Sequence, residues 1–313
     1  MKKGLFSFIM PAYKADFIRE SIDSILSQSY SEFELIVLND ASPDALEDII
    51  CKYNDSRIRY YVNEENIGGK DLVAQWNKCL SFARNEFVVL ASDDDIYDED
   101  FLCHMAKLIE KYPKVDAFHS RVQIVDTYNQ IIDYSEACAE WESCEEIIWH
   151  RICKKRAQYI PEFVFRRQAL MDNGGFVKFP SAWGSDHATA FLLAKEQGVV
   201  CCNKPLFKWR YSGINISSSG KHVENKVKGL TQYHAWIDEF INGFGESFYK
   251  TLIKNGLDKY LQKRIVVLLS QYSFLELFWM IINPFLNYQH YKRRHVLYGF
   301  VYKVKERVFF YAK

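Results

Sequence analysis

The sequence predicts an α/β protein with a mixed, mainly parallel central sheet, followed by a helical C-terminal region. Within residues 5–111, short apolar runs alternate four times with segments of helical periodicity, and this alternation requires crossover connections between parallel strands. From Lys221 onward the pattern is helical with few breakers. We therefore expect one domain over 1–218, with halves 1–112 and 113–218, and a helical extension over 219–313.

Individual elements follow from local patterns. Leu5–Met10 is an apolar run that predicts a buried strand, which we expect Pro11 to end. Residues 15–28 have amphipathic helical spacing, and Phe33–Leu38 predicts a second strand. Ser42 is the expected N-cap of a helix that begins at the next residue, a proline. Further strands are predicted at 57–62, 87–91 and 115–125, and one or two strands at 199–210. Further helices are predicted at 70–83, 98–111 and 186–197, whereas 134–150 shows no assignable pattern.

Composition restricts the functional classes. Of 313 residues, 49% are hydrophobic and 26% charged, which excludes wholesale disorder. The net charge of zero gives no reason to expect nucleic acid, although residues 221–313 carry 15 basic and 7 acidic side chains and residues 1–220 carry 25 and 33. An acidic first part suits a phosphate ligand only if a cation mediates the contact. The eight cysteines lack zinc-site or disulfide-framework spacing, which favours reduced thiols in a cytoplasmic protein.

Three short segments that end in polar residues follow three of the predicted strands. They are Pro11–Tyr13, Asn39–Asp40 and Ser92–Asp95. Because ligands bind at the carboxyl ends of parallel strands, we expect these segments to share one crevice. Asp93, Asp94 and Asp95 would repel one another without a cation, and oxygen ligands suit Mg²⁺ or Mn²⁺. The alternative is a solvated loop in which acidic residues precede a helix.

Other chemical signals are weaker. No GxGxxG or GxxxxGK[ST] segment is present, which disfavours dinucleotide-dependent oxidoreductases and P-loop enzymes. Asp186 begins a predicted helix after Trp183-Gly184-Ser185, so it is either a reactive carboxylate or one that interacts with the positive helix end. His187 has no second histidine at metal spacing, which favours a role other than metal binding.

Taken together, these segments resemble the inverting family-2 nucleotide-sugar glycosyltransferases of bacterial surface-glycan synthesis. Phe6-Ser7-Phe8-Ile9-Met10-Pro11-Ala12-Tyr13 resembles that family's first strand and nucleotide-binding turn. Further segments match in order and spacing, and they are 21–30, 33–44, the Asn66-Ile67-Gly68 turn, 87–97, 173–176 and 184–186. The resemblance covers residues 5–215.

The resemblance implies a GT-A nucleotide-binding fold and a set of site residues. Asp40 would hydrogen-bond the base, with uracil favoured, and Asp93 would contact the ribose or sugar. The implied donor-binding residues together are Pro11, Ala12, Tyr13, Asp40, Asn66, Gly68 and Asp93. Asp94 or Asp95 would be the chief ligand of Mn²⁺ or Mg²⁺, and Asp186 would be the general base.

These roles imply a hexosyl- or N-acetylhexosaminyltransferase. It would use a UDP-sugar and a hydroxyl of a capsule, O-antigen or exopolysaccharide acceptor, free or lipid-linked. Asn39, Ser92 and Ser212 depart from the family pattern, where Asp, Asp and His are common. These departures keep a non-catalytic nucleotide-sugar-binding scaffold as an alternative. A nucleotidyltransferase is disfavoured because the chain has no N-terminal Gly-rich activation loop.

The C-terminal region raises the question of membrane contact. Residues 265–286 are apolar, but polar residues and Pro284 interrupt them, and a span needs about 20 predominantly apolar residues. Residues 292–309 alternate basic and apolar side chains, a pattern that suits an anionic bilayer surface. We expect residues 265–286 to form a helix that packs on the catalytic domain or on a partner, with attachment to the membrane surface as the alternative. For the basic tail we expect peripheral membrane contact of a cytoplasmic protein, and the alternative is a terminal helix whose basic face is solvated or pairs with the acidic first part. The sequence does not indicate the oligomeric state.

Overall fold

A computed structural model describes residues 4–153, 156–212, 222–283 and 291–310, with the side chains of 306–310 left out. The chain divides into two compact units. Within the described residues, one unit combines Met1–Lys178 with Ser185–Ser212, and the other combines Phe179–Gly184 with Gly213–Lys313. The domain boundary expected at residue 218 lies outside the described residues.

A mixed sheet forms the centre of the first unit. Its strands run in the order β3-β2-β1-β4-β9-β6-β10-β5, with β7 beside β6 and β8 beside β10. The strands are β1 (Phe6–Ala12), β2 (Phe33–Asn39), β3 (Ile58–Val62), β4 (Phe87–Leu90), β5 (Ile96–Tyr97), β6 (Ala117–Val125), β7 (Ile131–Tyr134), β8 (Trp141–Glu142), β9 (Phe163–Arg166) and β10 (Val199–Arg210). The pairs β1–β2, β2–β3, β1–β4 and β6–β10 are parallel, whereas β9 is antiparallel to both its neighbours. The predicted fold class is confirmed.

Seven α-helices within the described part of this unit connect the strands. They are α1 (Ile18–Leu26), α2 (Leu46–Ile50), α3 (Leu72–Ser81), α4 (Phe101–Lys111), α5 (Cys144–Ile152), α6 (Arg167–Asp172) and α7 (Ser185–Ala194). In α1, Ile18, Ile22 and Ile25 lie fully buried against the apolar strands, because their spacing places them on one helix face. The unassigned segment 134–150 contains the two-residue strand β8 and most of α5.

Two local predictions were wrong. Pro11 lies inside β1 rather than ending it. The carbonyl of Ile9 accepts a hydrogen bond from Ala91, just past β4. Backbone groups of strand residues two apart face the same neighbouring strand, so Pro11, like Ile9, faces the side of β4. At the level of Pro11, however, β4 has already ended, so the lack of an N–H at Pro11 costs no hydrogen bond between the strands.

The second wrong prediction is the helix N-cap at Ser42. The helix α2 begins at Leu46, and Ser42 does not cap it. The Ser42 hydroxyl instead donates to the carbonyl of Tyr13 at 2.5 Å and accepts from the amide of Asp44 at 3.0 Å. It therefore ties this turn to the end of β1.

The second unit is helical, as predicted. Its helices are α8 (Val223–Asn242), α9 (Phe248–Leu269), α10 (Phe274–Ile282) and α11 (Arg293–Phe310). The segment Phe179–Gly184 packs closely on α8, since a Cβ added at Gly229 would lie 2.3 Å from the carbonyl oxygen of Pro180. Gly184 has φ +93°, and a side chain there would collide with Tyr233.

The C-terminal helices bear on the question of membrane contact through their length, apolar character and exposure. Among the described residues, no single helix has the length and apolar character that crossing a bilayer requires, while α9 and α10 meet that requirement jointly but are bent by 117°. In α11, Val296 is buried whereas Leu297 and Val301 are exposed. The amine of Lys303 donates to the carbonyls of Ser270 and Tyr272. One predicted surface cation therefore stabilises the end of α9 instead.

Candidate active site

The three segments that follow β1, β2 and β4 in the prediction meet at one edge of the sheet. β1 lies between β2 and β4, with Ala12 in register with Asn39 and Ile9 in register with Leu90. The carboxyl ends of these parallel strands are therefore adjacent, as the sequence predicted. The amide of Asp40 donates to the carbonyl of Ala12 at 2.9 Å, which joins the first two segments directly.

Asp40 organises the loop that follows β3. Its Oδ1 accepts from the Nδ2 of Asn63 at 2.7 Å and from the amide of Ile67 at 2.8 Å. Its Oδ2 accepts from the amide of Gly68 at 2.7 Å. A Cβ at Gly68 would lie 2.8 Å from that same oxygen, which explains a glycine at this position. A base contact by Asp40, still a prediction, would use the remaining lone pair on Oδ2.

Asn66 closes the same loop. Its side-chain oxygen accepts from the amide of Gly69 at 2.5 Å. A Cβ at Gly69 would clash with this side chain. The predicted donor-side residues Asn66 and Gly68 thus occupy one tight turn that the Asp40 carboxylate supports.

Asp93 links the end of β4 to the turn after β1. Its Oδ2 accepts from the amides of Tyr13 and Lys14, both at 2.8 Å. Burial and, less strongly, the neighbouring Asp94 carboxylate raise the pKa of Asp93 to about 6, against the lowering effect of these two amides. Asp93 therefore holds the turn at Tyr13 and Lys14, which directly follows Pro11 and Ala12 at the end of β1. Pro11, Ala12 and Tyr13 are the predicted base and ribose pocket.

Asp95 lies deeper than its neighbours. It is 2% exposed, its Oδ2 accepts from the hydroxyl of Ser92 at 2.5 Å, and its Oδ1 accepts from the amide of Arg210 at 2.8 Å. Burial, followed by the charge of Asp94, raises the pKa of Asp95 well above its usual range. Ser92, which departs from the family pattern, thus donates a hydrogen bond to the Asp95 carboxyl group. The backbone carbonyl of Ser92 accepts from the hydroxyl of Ser21 at 2.8 Å.

Asp94 has a different environment from the acidic residues on either side. Its side chain is half-buried and makes no hydrogen bond or ion pair within the part of the chain that the structure describes. Its carboxylate is therefore available to a ligand, whereas that of Asp95 is engaged. This arrangement fits a divalent cation, because it supplies hard oxygen ligands in a region of excess negative charge. Between the two predicted metal ligands, the geometry favours Asp94.

Arg210 is a site residue that the sequence analysis did not identify as one. The side chain is fully buried at the end of β10, and its Nε donates to the carbonyl of Asp94 at 2.8 Å. It also forms an ion pair with Glu20 and lies 4.1 Å over the ring of Phe17. Arg210 thus fixes the backbone of the acidic segment to α1. The sequence shows that Arg210 lies within the stretch that resembles the family. It does not show the ion pair with Glu20, which is 190 residues away.

Asp186 lies in the first turn of α7, with its side chain 25% exposed. Its Oδ2 is 3.4 Å from the Nε2 of His187. That nitrogen also accepts from the Nε of Arg151 at 2.6 Å, so His187 lies in a hydrogen-bonded network with Arg151. The partly exposed Asp186 carboxylate suits a predicted general base, and the role stays a prediction.

Comparison with known proteins decides the family. A model described as glycosyl transferase family 2 matches residues 7–175. The chain belongs to this family. It is 25% identical to the UDP-Glc:alpha-D-GlcNAc-diphosphoundecaprenol beta-1,3-glucosyltransferase WfgD of Escherichia coli over 244 residues, which are 77% of this chain and 88% of WfgD. It is 38% identical to the putative teichuronic acid biosynthesis glycosyltransferase TuaG of Bacillus subtilis over 103 residues, or 32% of this chain and 40% of TuaG.

Solved structures agree with this family-2 assignment at the level of the fold. S. aureus TarS 1-349 in complex with UDP-GlcNAc superposes with a TM-score of 0.66 at 19% identity, over 97% of this chain and 91% of that chain. The mannosyltransferase PcManGT from Pyrobaculum calidifontis, in complex with GDP-Man and Mn²⁺, gives a TM-score of 0.55 at 17% identity, over 97% and 88%. The predicted GT-A fold is confirmed.

Proposed function

We propose that this family-2 protein is a metal-dependent inverting glycosyltransferase. It moves a hexosyl or N-acetylhexosaminyl group from a UDP-sugar to a hydroxyl of a surface-glycan acceptor. WfgD is named for a UDP-glucose donor and a diphosphoundecaprenol acceptor, TuaG for teichuronic acid biosynthesis, and TarS binds UDP-GlcNAc. These names support the donor and acceptor classes in this proposal.

One observation carries the proposal. At the adjacent ends of β1, β2 and β4, two buried or half-buried aspartates order the surrounding loops, while the Asp94 carboxylate makes no hydrogen bond or ion pair to the described residues. Asp93 holds the turn after β1, and Asp40 holds the loop at Asn66–Gly68. The site therefore combines ordered backbone with one available carboxylate, which is what a nucleotide diphosphate and its cation need.

Asp94 would hold Mn²⁺ or Mg²⁺, and Asp95, with its hydrogen bonds to Ser92 and Arg210, would support it. A bound divalent cation at this site neutralises charge that develops on the leaving diphosphate. Arg210 contributes by fixing the backbone carbonyl of Asp94, so that the carboxylate starts from a defined position.

Asp186 is the proposed general base. In this role its carboxylate takes the proton from the acceptor hydroxyl as the oxygen attacks the anomeric carbon. Attack from the face opposite the leaving diphosphate inverts the anomeric configuration. The carboxylate lies in the first turn of α7 and is partly exposed, which supports contact with such an acceptor.

We further propose a cytoplasmic location with peripheral contact to the membrane. In α10, four apolar side chains are exposed by more than half of their surface, and they are Leu275, Phe278, Trp279 and Ile282. Arg293 and Arg294 are exposed at the start of α11. Exposed apolar and basic side chains together favour an anionic bilayer surface, where a lipid-linked acceptor would be available.

The decisive experiment is a panel of nucleotide sugars tested with Mn²⁺ and with EDTA, scored by thermal stabilisation and nucleotide release. We expect a UDP-sugar to stabilise the protein only with metal. Asp94→Asn should weaken this binding at least tenfold, about 1.4 kcal/mol, whereas the exposed neighbour Glu99→Gln should match the wild type. Equal UDP affinity with Mn²⁺ and EDTA would contradict the metal role. Donor binding without nucleotide release for any acceptor would favour the scaffold alternative.

A further inference from the structure

A second cluster of possible ligands lies in the first unit, on β6, on β10 and in the segment between β7 and β8. His119 on β6 and Cys201 on β10 are in direct register in a parallel strand pair, so their side chains lie on the same face of the sheet. The Sγ of Cys138, in the segment between β7 and β8, lies 2.8 Å from the Sγ of Cys201. One nitrogen or sulfur atom from each of the three residues lies within 4.8 Å of the others.

The segment that carries Cys138 is attached firmly to β10. The amide of Cys138 donates to the side-chain oxygen of Asn203 at 3.1 Å, and the Asn203 amide group donates back to the carbonyl of Cys138. The amide of Cys201 donates to the carbonyl of Glu140 at 2.8 Å. The approach of the two sulfurs therefore follows from several backbone contacts.

Several polar atoms around the sulfurs have no hydrogen-bond partner among the described residues. They include Nε2 of His119, Oε2 of Glu162 and Oε1 of Glu142. These three residues are 8%, 3% and 1% exposed and line one small cavity. Unpartnered buried polar atoms are costly, so this group of atoms points to an absent ligand.

We propose that His119, Cys138 and Cys201 bind a zinc ion. The Nδ1 of His119 lies 3.5 Å from Oε1 of Glu162, which leaves Nε2 for the metal. A carboxylate beside the second ring nitrogen commonly orients a zinc-binding histidine. Glu162 therefore acts as the positioning residue of this site, and water or a carboxylate completes the four-coordinate shell.

Charge and geometry support zinc over a disulfide. A bond between the two sulfurs would leave Nε2 of His119 without a partner, whereas a cation would bind it. The cation would also balance two thiolates that lie near Glu142 and Glu162, where Arg156 already pairs with Glu142. Sulfur ligands of tetrahedral zinc are about 3.8 Å apart, from Zn–S distances of about 2.3 Å. Zinc binding would therefore require the two sulfurs to move about 1 Å further apart than their 2.8 Å separation. Cys138 is only partly buried, so its side chain has room for this movement.

The ion would have a structural role. It would fasten the segment between β7 and β8 to β6 and β10, in the part of the sheet that ends at Arg210. The long separations in sequence, 119 to 138 to 201, explain why cysteine spacing did not reveal the site. Sheet pairing, rather than a local motif, brings these residues together.

Cobalt substitution tests this proposal with a readout that does not depend on transfer activity. Co²⁺ bound by thiolates gives sulfur-to-metal charge-transfer absorption, which an oxygen-only site at Asp94 cannot give. We expect one zinc per chain after gel filtration in the wild type and thiolate bands after replacement with Co²⁺. Cys138→Ser should lower the retained zinc at least tenfold, whereas the matched neighbour Cys202→Ser and the donor-site variant Asp94→Asn should retain it.

Alkylation of the wild type keeps the test independent of variant folding. A zinc chelator should increase labelling of Cys138 and Cys201 together and leave the exposed Cys51 unchanged. The proposal is overturned if the wild type retains no stoichiometric zinc, or if Cys202→Ser loses zinc as completely as Cys138→Ser. It is equally overturned if protein denatured and alkylated directly from cells contains a disulfide between Cys138 and Cys201.

Discussion

Asp40 has two roles that an experiment can separate. It stabilises the loop after β3 through hydrogen bonds, and it is predicted to contact the base of the donor. Its carboxylate accepts three hydrogen bonds, two of them from the amides of Ile67 and Gly68. In Asp40→Asn, Oδ1 can keep its two bonds, but an amide NH₂ would face the N–H of Gly68. Loss of one charge-assisted hydrogen bond costs about 1.5–3 kcal/mol. We therefore expect local opening of this loop to become easier by about 2 kcal/mol, or roughly thirtyfold.

Hydrogen–deuterium exchange on a peptide that contains residues 63–72 measures this effect directly. Exchange of the Ile67 and Gly68 amides reports local opening, and it should accelerate roughly thirtyfold in Asp40→Asn. Asp16→Asn is the matched control, because Asp16 is exposed and has no hydrogen bond recorded to the described residues. If both variants exchange like the wild type while Asp40→Asn alone loses donor affinity, the loop-anchoring argument is refuted and base contact alone explains Asp40.

Three further predictions concern other parts of the protein. Asp186→Asn should lower turnover by roughly 10²–10⁴ and leave donor binding nearly intact, and unimpaired turnover in a folded variant would remove Asp186 from the mechanism. Arg210→Lys should reduce Mn²⁺-dependent donor affinity measured by calorimetry at least tenfold, because lysine lacks the planar fork that joins Asp94 to α1; unchanged affinity would refute this positioning role. Replacing both Phe278 and Trp279 with alanine should reduce salt-sensitive flotation with anionic liposomes, unlike Phe248→Ala in α9. A wild type that floats no more with anionic than with neutral liposomes at low salt would contradict attachment to an anionic membrane surface.

The sequence predicted those features that depend on local periodicity. Strand ends identified where Asp40, Asp93 and Asp94 would meet, because the carboxyl ends of parallel strands share one edge. Local pattern did not distinguish Asp94 from Asp95, since that difference depends on hydrogen bonds from Ser92 and the distant Arg210. Short elements were also missed, as β8 has two residues and gives no periodic signal.

The errors at Pro11 and Ser42 have the same origin. Proline usually interrupts a strand, but whether it costs a hydrogen bond depends on how far the neighbouring strand extends. Serine before proline is a common helix start, yet here its hydroxyl has a partner at Tyr13, 29 residues away. Both outcomes depend on tertiary neighbours that a local pattern does not contain.

The position of β10 in the sheet affects how this protein can be divided. The family match ends at residue 175, but β10 (Val199–Arg210) lies between β6 and β5. A chain shortened to residue 175 would leave β6 without its parallel neighbour and expose an open strand edge, which promotes edge-to-edge association. It would also remove the amide that holds Asp95 and the buried Phe207. The matched stretch therefore carries the donor-side residues but is not a self-sufficient folding unit, and aggregation of such a fragment would say nothing about its chemistry.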